Sequence, residues 1–327
     1  MKKRPLGRLS VQALGLGAMG LSHGYGPAVS PQQAETLLLD AVAQGVDWFD
    51  TSPAFGQGDN ERLLGRVLAP HRASLVWSTR AGVTPEGEVD GRPSAIRAHC
   101  EASLGRLQTD VIDLLVLHRV DPAVPMEESV GAMADLVQAG KVREIGLSEV
   151  SAPLLRRGHA VHRVAAVATE YALWSRQPEI AVSDACQALG VALVATSPLG
   201  RGGLTARLTD PSRLAPDDLR RRIPRFDVLN YAANLRLLDR WVPLVAEWGC
   251  TPAQAALAWL LHRGDHVLAL PGTTQQTHLH ENLAALDLPL GPDALARMDR
   301  LFHPDEVCGP RANPHDRRFI QTEEFDS

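Results

Sequence analysis

Eight short apolar runs recur along the chain, and almost every one is followed by a stretch with helical periodicity. The runs are residues 13–17, 46–50, 75–78, 111–118, 142–147, 164–169, 191–195 and 267–270. The helical patterns cover 32–43, 61–68, 94–107, 127–138, 152–158, 178–189, 235–248 with 252–262, and 275–286. Helix punctuation agrees. Ser30-Pro31 and Thr251-Pro252 place proline just after an N-cap residue, and Gly45, Gly140 and Gly190 stand just past helix ends. A strand–helix unit repeated this often without a break in composition predicts a closed parallel (β/α)8 TIM barrel as a single domain over residues 1–302. The rival is an open doubly wound sheet. Its glycine fingerprint is met in letters by Gly15, Gly17 and Gly20, but the next ten residues read as loop, so no helix begins there.

Three segments fall outside the repeat. Residues 3–11, with Leu6-Gly7-Arg8 at the centre, predict a hairpin closing the barrel bottom. Residues 198–232 form a long loop after the seventh strand. It carries Arg201, Arg207, Arg213, Arg220, Arg221, Arg222 and Arg225 among interspersed aspartates, and reads as solvated. The polar tail, 303–327, reads as a mobile or docking arm.

Charge and cysteine usage exclude several functions. With 33 basic against 38 acidic residues the net charge is −5, which gives no electrostatic footprint for nucleic acid. The four cysteines are far apart and form no C-x-x-C pair, so neither a zinc site nor a disulfide framework is expected, and no other metal-ligand spacing occurs. The basic start Met1-Lys2-Lys3-Arg4-Pro5 leads into no apolar signal region, and no apolar run is long enough for a bilayer. A cytoplasmic protein is expected, with no membrane partner and an open oligomeric state.

Barrel active sites lie at the C-terminal strand ends. Here those ends carry Asp50, Arg80, His118-Arg119, Ser148-Glu149, Thr169-Glu170, Thr196-Ser197 and Pro271-Gly272-Thr273. An aspartate, an arginine and a histidine on one rim make a candidate catalytic group: Asp50, Arg80 and His118. Asp50 and Arg80 are equally readable as a buried ion pair that only braces the rim.

These residues lie in stretches that resemble the aldo-keto reductase family, close to its bacterial branch, over nearly the whole chain. The stretches are Leu14-Gly15-Leu16-Gly17-Ala18-Met19-Gly20, Phe49-Asp50-Thr51, Asp113-Leu114-Leu115-Val116-Leu117-His118-Arg119, Gly140-Lys141-Val142-Arg143-Glu144-Ile145-Gly146-Leu147-Ser148, Ser197-Pro198-Leu199-Gly200-Arg201-Gly202 and Pro271-Gly272-Thr273. The resemblance implies a barrel that binds NADPH extended and reduces a carbonyl with an Asp, a Tyr, a Lys and a His. In that family the Tyr donates a proton, the Lys lowers its pKa, the Asp holds the Lys and the His orients the carbonyl.

Asp50 and His118 match this set, but the Tyr position is Phe55 and the Lys position is Arg80. Phenylalanine has no proton to give, and a positioned general acid contributes roughly 10²–10⁴-fold. The nicotinamide-stacking aromatic is Thr196, the carboxamide-holding Gln is Ala168, and Thr274-Gln275-Gln276-Thr277-His278 offers no Lys or Arg for a 2′-phosphate. The frame that the resemblance carries over for a cofactor is Ser148, Ser197, Leu199, Gly200, Gly202, Glu281 and Asn282. Phe55, Tyr25, Trp174 and Arg176 are the expected substrate-binding residues, and Trp48 is expected between barrel and helices.

Loss of the proton donor, ring stack, carboxamide grip and phosphate grip together favours an enzyme with no cofactor. It would act on a small carbonyl-containing substrate by acid/base chemistry, such as dehydration, lyase cleavage, isomerisation or cyclisation. His118 would be its acid or base and Arg80 its oxyanion anchor. The alternatives are an altered oxidoreductase using NADPH or NADH, and a non-catalytic binding or regulatory subunit.

Overall fold

Strand parity decides which side chains meet at the site. The computed structural model describes residues 3–325, so Met1 and Lys2 of the basic start, and Asp326 and Ser327, lie outside the described residues. An antiparallel hairpin, β1 (Lys3–Leu6) and β2 (Leu9–Gln12), precedes eight parallel strands. These are β3 (Leu16–Gly17), β4 (Trp48–Asp50), β5 (Val76–Ala81), β6 (Ile112–Leu117), β7 (Val142–Ser148), β8 (Val164–Glu170), β9 (Ala192–Thr196) and β10 (Val267–Leu270). Each pairs in parallel with the next. A bridge between Leu14 and Ala269, with Gly15 and Gly17 N–H donating to Ala269 and Pro271 carbonyls at 3.0 Å, joins the last strand to the first. The result is a (β/α)8 TIM barrel.

The surrounding helices are α1 (Pro31–Ala43), α2 (Asp59–Leu68), α3 (Pro93–Leu107), α4 (Met126–Gln138), α5 (Ala152–Val161), α6 (Val182–Leu189), α7 (Val228–Ala246), α8 (Pro252–Leu261), α9 (Gln276–Leu283) and α10 (Pro292–Leu301). Ser30 and Thr251 close reciprocal capping boxes with Gln33 and Gln254, which fixes the starts of α1 and α8. The sequence pattern missed two features. The Asp227 side chain accepts from Asn230 N–H and starts α7 seven residues earlier than the apolar period. A proline at its first position starts α10 in a stretch not read as helix.

Successive strand residues point to opposite faces. Trp48 and Asp50 therefore share the barrel interior while Phe49 packs outward under the helices. Trp48 is thus an interior residue rather than one between barrel and helices. Its Nε1 donates to the Gln12 carbonyl at 3.1 Å, and its indole lies where a Cβ on Gly15 would be 2.2 Å away. Leu6 and Val11 of the hairpin join Leu114, Val116, Val194 and Leu268 in this interior cluster and plug the bottom. Glu144 holds the plug by accepting from the Arg8 N–H at 2.8 Å and pairing with Arg163 at 2.8 Å. With the bottom filled, only the opposite end is free for a site.

Candidate active site

The same parity that turns Val76 and Ser78 inward brings Arg80 to the top of β5, beside Asp50 at the top of β4. Arg80 Nη2 donates to Asp50 Oδ2 at 2.8 Å, and Ser78 Oγ donates to Asp50 Oδ1 at 2.7 Å. Both charged groups are buried, at 5% and 6% exposure, so the pair lies in a medium where one partner alone would be costly. Arg80 Nε is buried with no hydrogen-bond partner among the described residues.

Asp50, Phe55 and Arg80 line one end of a cavity of about 560 Å3. Gly17, Thr196, Ser197, Leu199 and Gly202 line it further along, as does Tyr25 from the loop after β3. Glu281 and Asn282 of α9 line it too. Phe55 is the apolar wall at the Asp50 end, its ring 5.6 Å from that of His23.

His118 follows β6, and its N–H donates to the Ala81 carbonyl at 2.8 Å. It is not among the cavity-lining residues. Burial, with Arg80 and Arg119 nearby, holds its imidazole well below the ordinary range, so the ring is neutral at pH 7. A neutral ring is a hydrogen-bond donor rather than a store of acid. Its Nδ1 is buried and has no hydrogen-bond partner among the described residues. Ser148 Oγ accepts from Arg119 Nη1 at 3.3 Å and does not line the cavity.

The loop after β9 is built from left-handed turns, with φ of 49° at Ser197, 56° at Gly200, 54° at Arg201 and 88° at Gly202. It is seated on Trp174. A Cβ on Gly203 would lie 1.9 Å from the indole, and one on Gly200 2.1 Å from its Nε1. Trp174 is therefore buried under the loop, with Arg225 stacked 5.6 Å from its ring, and it does not reach the cavity. Gly200 sits beneath the lining for the same reason. Arg176 also lies elsewhere. It pairs with Glu179 at 2.6 Å and Asp299 at 3.3 Å, and covers the Trp259 ring from 5.5 Å. The two expectations placing Trp174 and Arg176 at the substrate are thus replaced by packing roles.

The arginine-bearing segment after β9 is in large part tied down rather than solvated. Arg201 donates to Glu170 at 2.9 Å and, with Tyr25, lines the cavity. The Arg220 guanidinium lies 5.2 Å over the Tyr25 ring and pairs with Asp218 at 2.7 Å. The Leu219 N–H donates to the Gly24 carbonyl at 2.9 Å, so the loops after β3 and β9 meet beside the cavity. Arg207 donates to Glu281 at 2.9 Å and contacts His278. Sequence reasoning missed Arg207. It supplies, from a segment more than 60 residues away, a cation to a stretch of α9 that has none.

Glu149 was also given no role from sequence. It holds a left-handed φ of 52° at the top of β7 and accepts from Arg311 at 2.9 Å, Thr322 at 2.9 Å and Thr169 at 3.1 Å. Burial pushes its carboxyl up, but the Arg311 and Arg119 charges and hydrogen bonds from the Glu170 N–H and Arg311 prevail and hold it at about 2. Through this carboxylate the tail is fastened to the rim, and Glu323 adds a bond to the Ala152 N–H at the start of α5. Among the described residues no His, Cys, Asp or Glu cluster is suited to a metal, and no helix is long and apolar enough to cross a membrane.

The fold and this rim define a (β/α)8-barrel protein with a cavity of mixed apolar and charged lining at the C-terminal ends of its strands. The Aldo/keto reductase family profile matches residues 13–302, and the chain belongs to that family. Three solved structures are similar to it. A thermostable aldo-keto reductase in complex with the inhibitor epalrestat is 28% identical, with a TM-score of 0.73, covering 92% of this chain and 100% of that one. The glycerol dehydrogenase of Gluconobacter oxydans is 25% identical, with a TM-score of 0.84 and coverage of 95% and 97%. An aldo/keto reductase of Klebsiella pneumoniae in complex with NADP and acetate is 27% identical, with a TM-score of 0.72, covering both chains fully. This last finding corrects the expectation that no cofactor is favoured. That relative, matched along its whole length, holds NADP, and Arg201, Arg207 and Arg220 are among the residues lining the cavity here.

Proposed function

We propose that this chain is an NAD(P)H-dependent carbonyl oxidoreductase whose proton-handling end is rebuilt around Arg80. This is the altered-oxidoreductase alternative, preferred now over cofactor-free acid/base chemistry. The observation that carries it is a single cavity lined by the Asp50–Arg80 pair and also by Glu281, Asn282 and Arg207.

The residues present fit a dinucleotide. Arg201, Arg207 and Arg220 line the cavity and suit phosphate groups. Gly17, Gly20, Gly202 and Gly272 leave room for close backbone approach. Glu281 and Asn282 offer acceptors and donors to a base. When bound, a reduced nicotinamide would supply the hydride.

The chain's own part follows from the side chains. Arg80 is permanently charged and cannot act as the acid, so it stabilises the developing alkoxide by hydrogen bonding. Asp50 fixes the guanidinium through its 2.8 Å bond. Phe55 supplies an apolar wall, and the proton comes from water. His118, held neutral and outside the cavity lining, is given no proton to transfer in this reading.

Titration with NADPH and NADH, followed by tryptophan quenching and by turnover of a small aldehyde, tests this reading. Saturable quenching with oxidation of either nucleotide is expected. No binding of either at tens of micromolar, a level set by ordinary enzyme affinities, sinks it.

A further inference from the structure

Arg225, just before α7, is buried, and every acceptor it meets among the described residues is neutral. Its Nε donates to the Gly309 carbonyl at 3.1 Å, and its Nη1 to the Trp174 carbonyl at 2.8 Å and to Ser175 Oγ at 2.6 Å. Burial pulls the guanidinium down to about 10, which leaves it charged at neutral pH. A buried cation without a bonded anion is costly, and the proton-handling end of the cavity makes no use of this one.

Its contacts run in two directions. On one side lies the tail. The Arg225 N–H donates to the Pro310 carbonyl at 3.2 Å, and Asn234 of α7 exchanges two 2.9 Å bonds with the Cys308 backbone. On the other side lies the cavity. Ser175 Oγ, which accepts from Arg225, donates to Glu170 Oε1 at 2.8 Å, and Glu170 Oε2 accepts from Arg201 Nη2 at 2.9 Å. A hydroxyl has one proton to give, so the direction of this relay is fixed. Arg201 lines the cavity, whereas Arg225, Ser175 and Glu170 do not. An unbroken line of hydrogen-bonded side chains therefore leads from the tail to the cavity wall.

Arg201 is a residue that needs holding. Its φ of 54° is left-handed, which is unfavourable for any side chain but glycine's. The turn that carries it rests through Gly200 and Gly203 on the Trp174 indole, and the Arg225 guanidinium lies 5.6 Å from that ring. Packing and hydrogen bonds thus lead from Arg225 to the same short stretch of loop.

We propose that Arg225 and Ser175 are positioning residues, which through Glu170 fix the Arg201 guanidinium at the cavity wall to receive an anionic group of the ligand. That the group is a phosphate rests on the dinucleotide reading above. Neither positioning residue touches the ligand, so the effect of each is carried by Arg201.

The test is calorimetry of ADP and of adenosine on the full chain, which needs no hydride transfer. The unaltered protein should bind ADP more tightly than adenosine. Ser175→Ala, a small change in the middle of the relay, should weaken ADP roughly 3- to 10-fold, the order of one hydrogen bond, and leave adenosine unchanged. Arg201→Met should weaken ADP at least as much. Adding Ser175→Ala to Arg201→Met should cost nothing further, because both changes act through one guanidinium. Arg225→Met should repeat the Ser175→Ala pattern, and the exposed control Arg213→Met should match the unaltered protein. Equal affinity for ADP and adenosine in the unaltered protein, equal loss of both in Ser175→Ala, unchanged ADP binding in Ser175→Ala, or full additivity of Ser175→Ala and Arg201→Met overturns the proposal. A loss of ADP binding in Ser175→Ala that vanishes in the Arg201→Met background, with no oxidation of NADPH or NADH by the unaltered protein, keeps the positioning role and removes the oxidoreductase reading.

Discussion

Arg80 Nη2 and Asp50 Oδ2 lie 2.8 Å apart on adjacent strands, both buried at the one open end of the barrel. Where the family resemblance implies an ammonium serving a phenol, this chain has a guanidinium, with Phe55 lining the same cavity. The consequences can be measured.

Asp50→Asn strips the counter-charge from the buried Arg80 guanidinium. Breaking one side of a buried pair costs about 3–5 kcal/mol. Denaturant unfolding should show a loss of that order, together with loss of turnover. A loss under about 1 kcal/mol would mean that solvent or a ligand already shares Arg80.

Phe55→Tyr combined with Arg80→Lys restores a phenol beside an ammonium. Carbonyl reduction should rise by at least tenfold, the low end of what a positioned acid provides. Steady-state kinetics with one aldehyde read this out. No gain would place the reacting carbonyl away from position 55.

Acid should release the tail. The Glu149 carboxyl is held at about 2 against an ordinary value of 4.5. A depressed carboxylate contributes stability that is complete above its unfolded value and is lost as pH falls from there through the folded one. Stability should therefore decline between pH 4.5 and about 2. Glu149→Gln should be less stable at neutral pH and flatter across that window. Unfolding midpoints at a series of pH values decide it, and parallel curves for the two proteins would remove Glu149 from this role.

Gly203→Ala forces a methyl to within 1.9 Å of the Trp174 indole. Overpacking of this kind costs about 1–3 kcal/mol, and relief requires the loop at 197–205 to lift. Thermal stability should fall and dinucleotide binding should weaken with it. Weaker binding without a change in stability would show that the loop moves freely over Trp174.

The barrel was legible in the chain because each strand is buried on both faces and each helix on one, and those burial patterns are written locally as apolar runs and 3.6-residue periods. The rim residues Asp50, Arg80 and His118 were legible for the same reason, since they sit where the apolar runs end. Which neighbours those residues acquire was not local. Trp174 reads as a mouth residue until Gly200 and Gly203 are seen to rest on it. Arg207 reads as solvated until α9 brings Glu281 to it across 74 residues. Glu149 has no visible partner until Arg311 arrives from 162 residues away. Periodicity is set by a residue's own turn of chain, and ion pairing by whatever the closed barrel carries alongside, so the architecture could be read from the letters while the charge balance of the cleft required the fold.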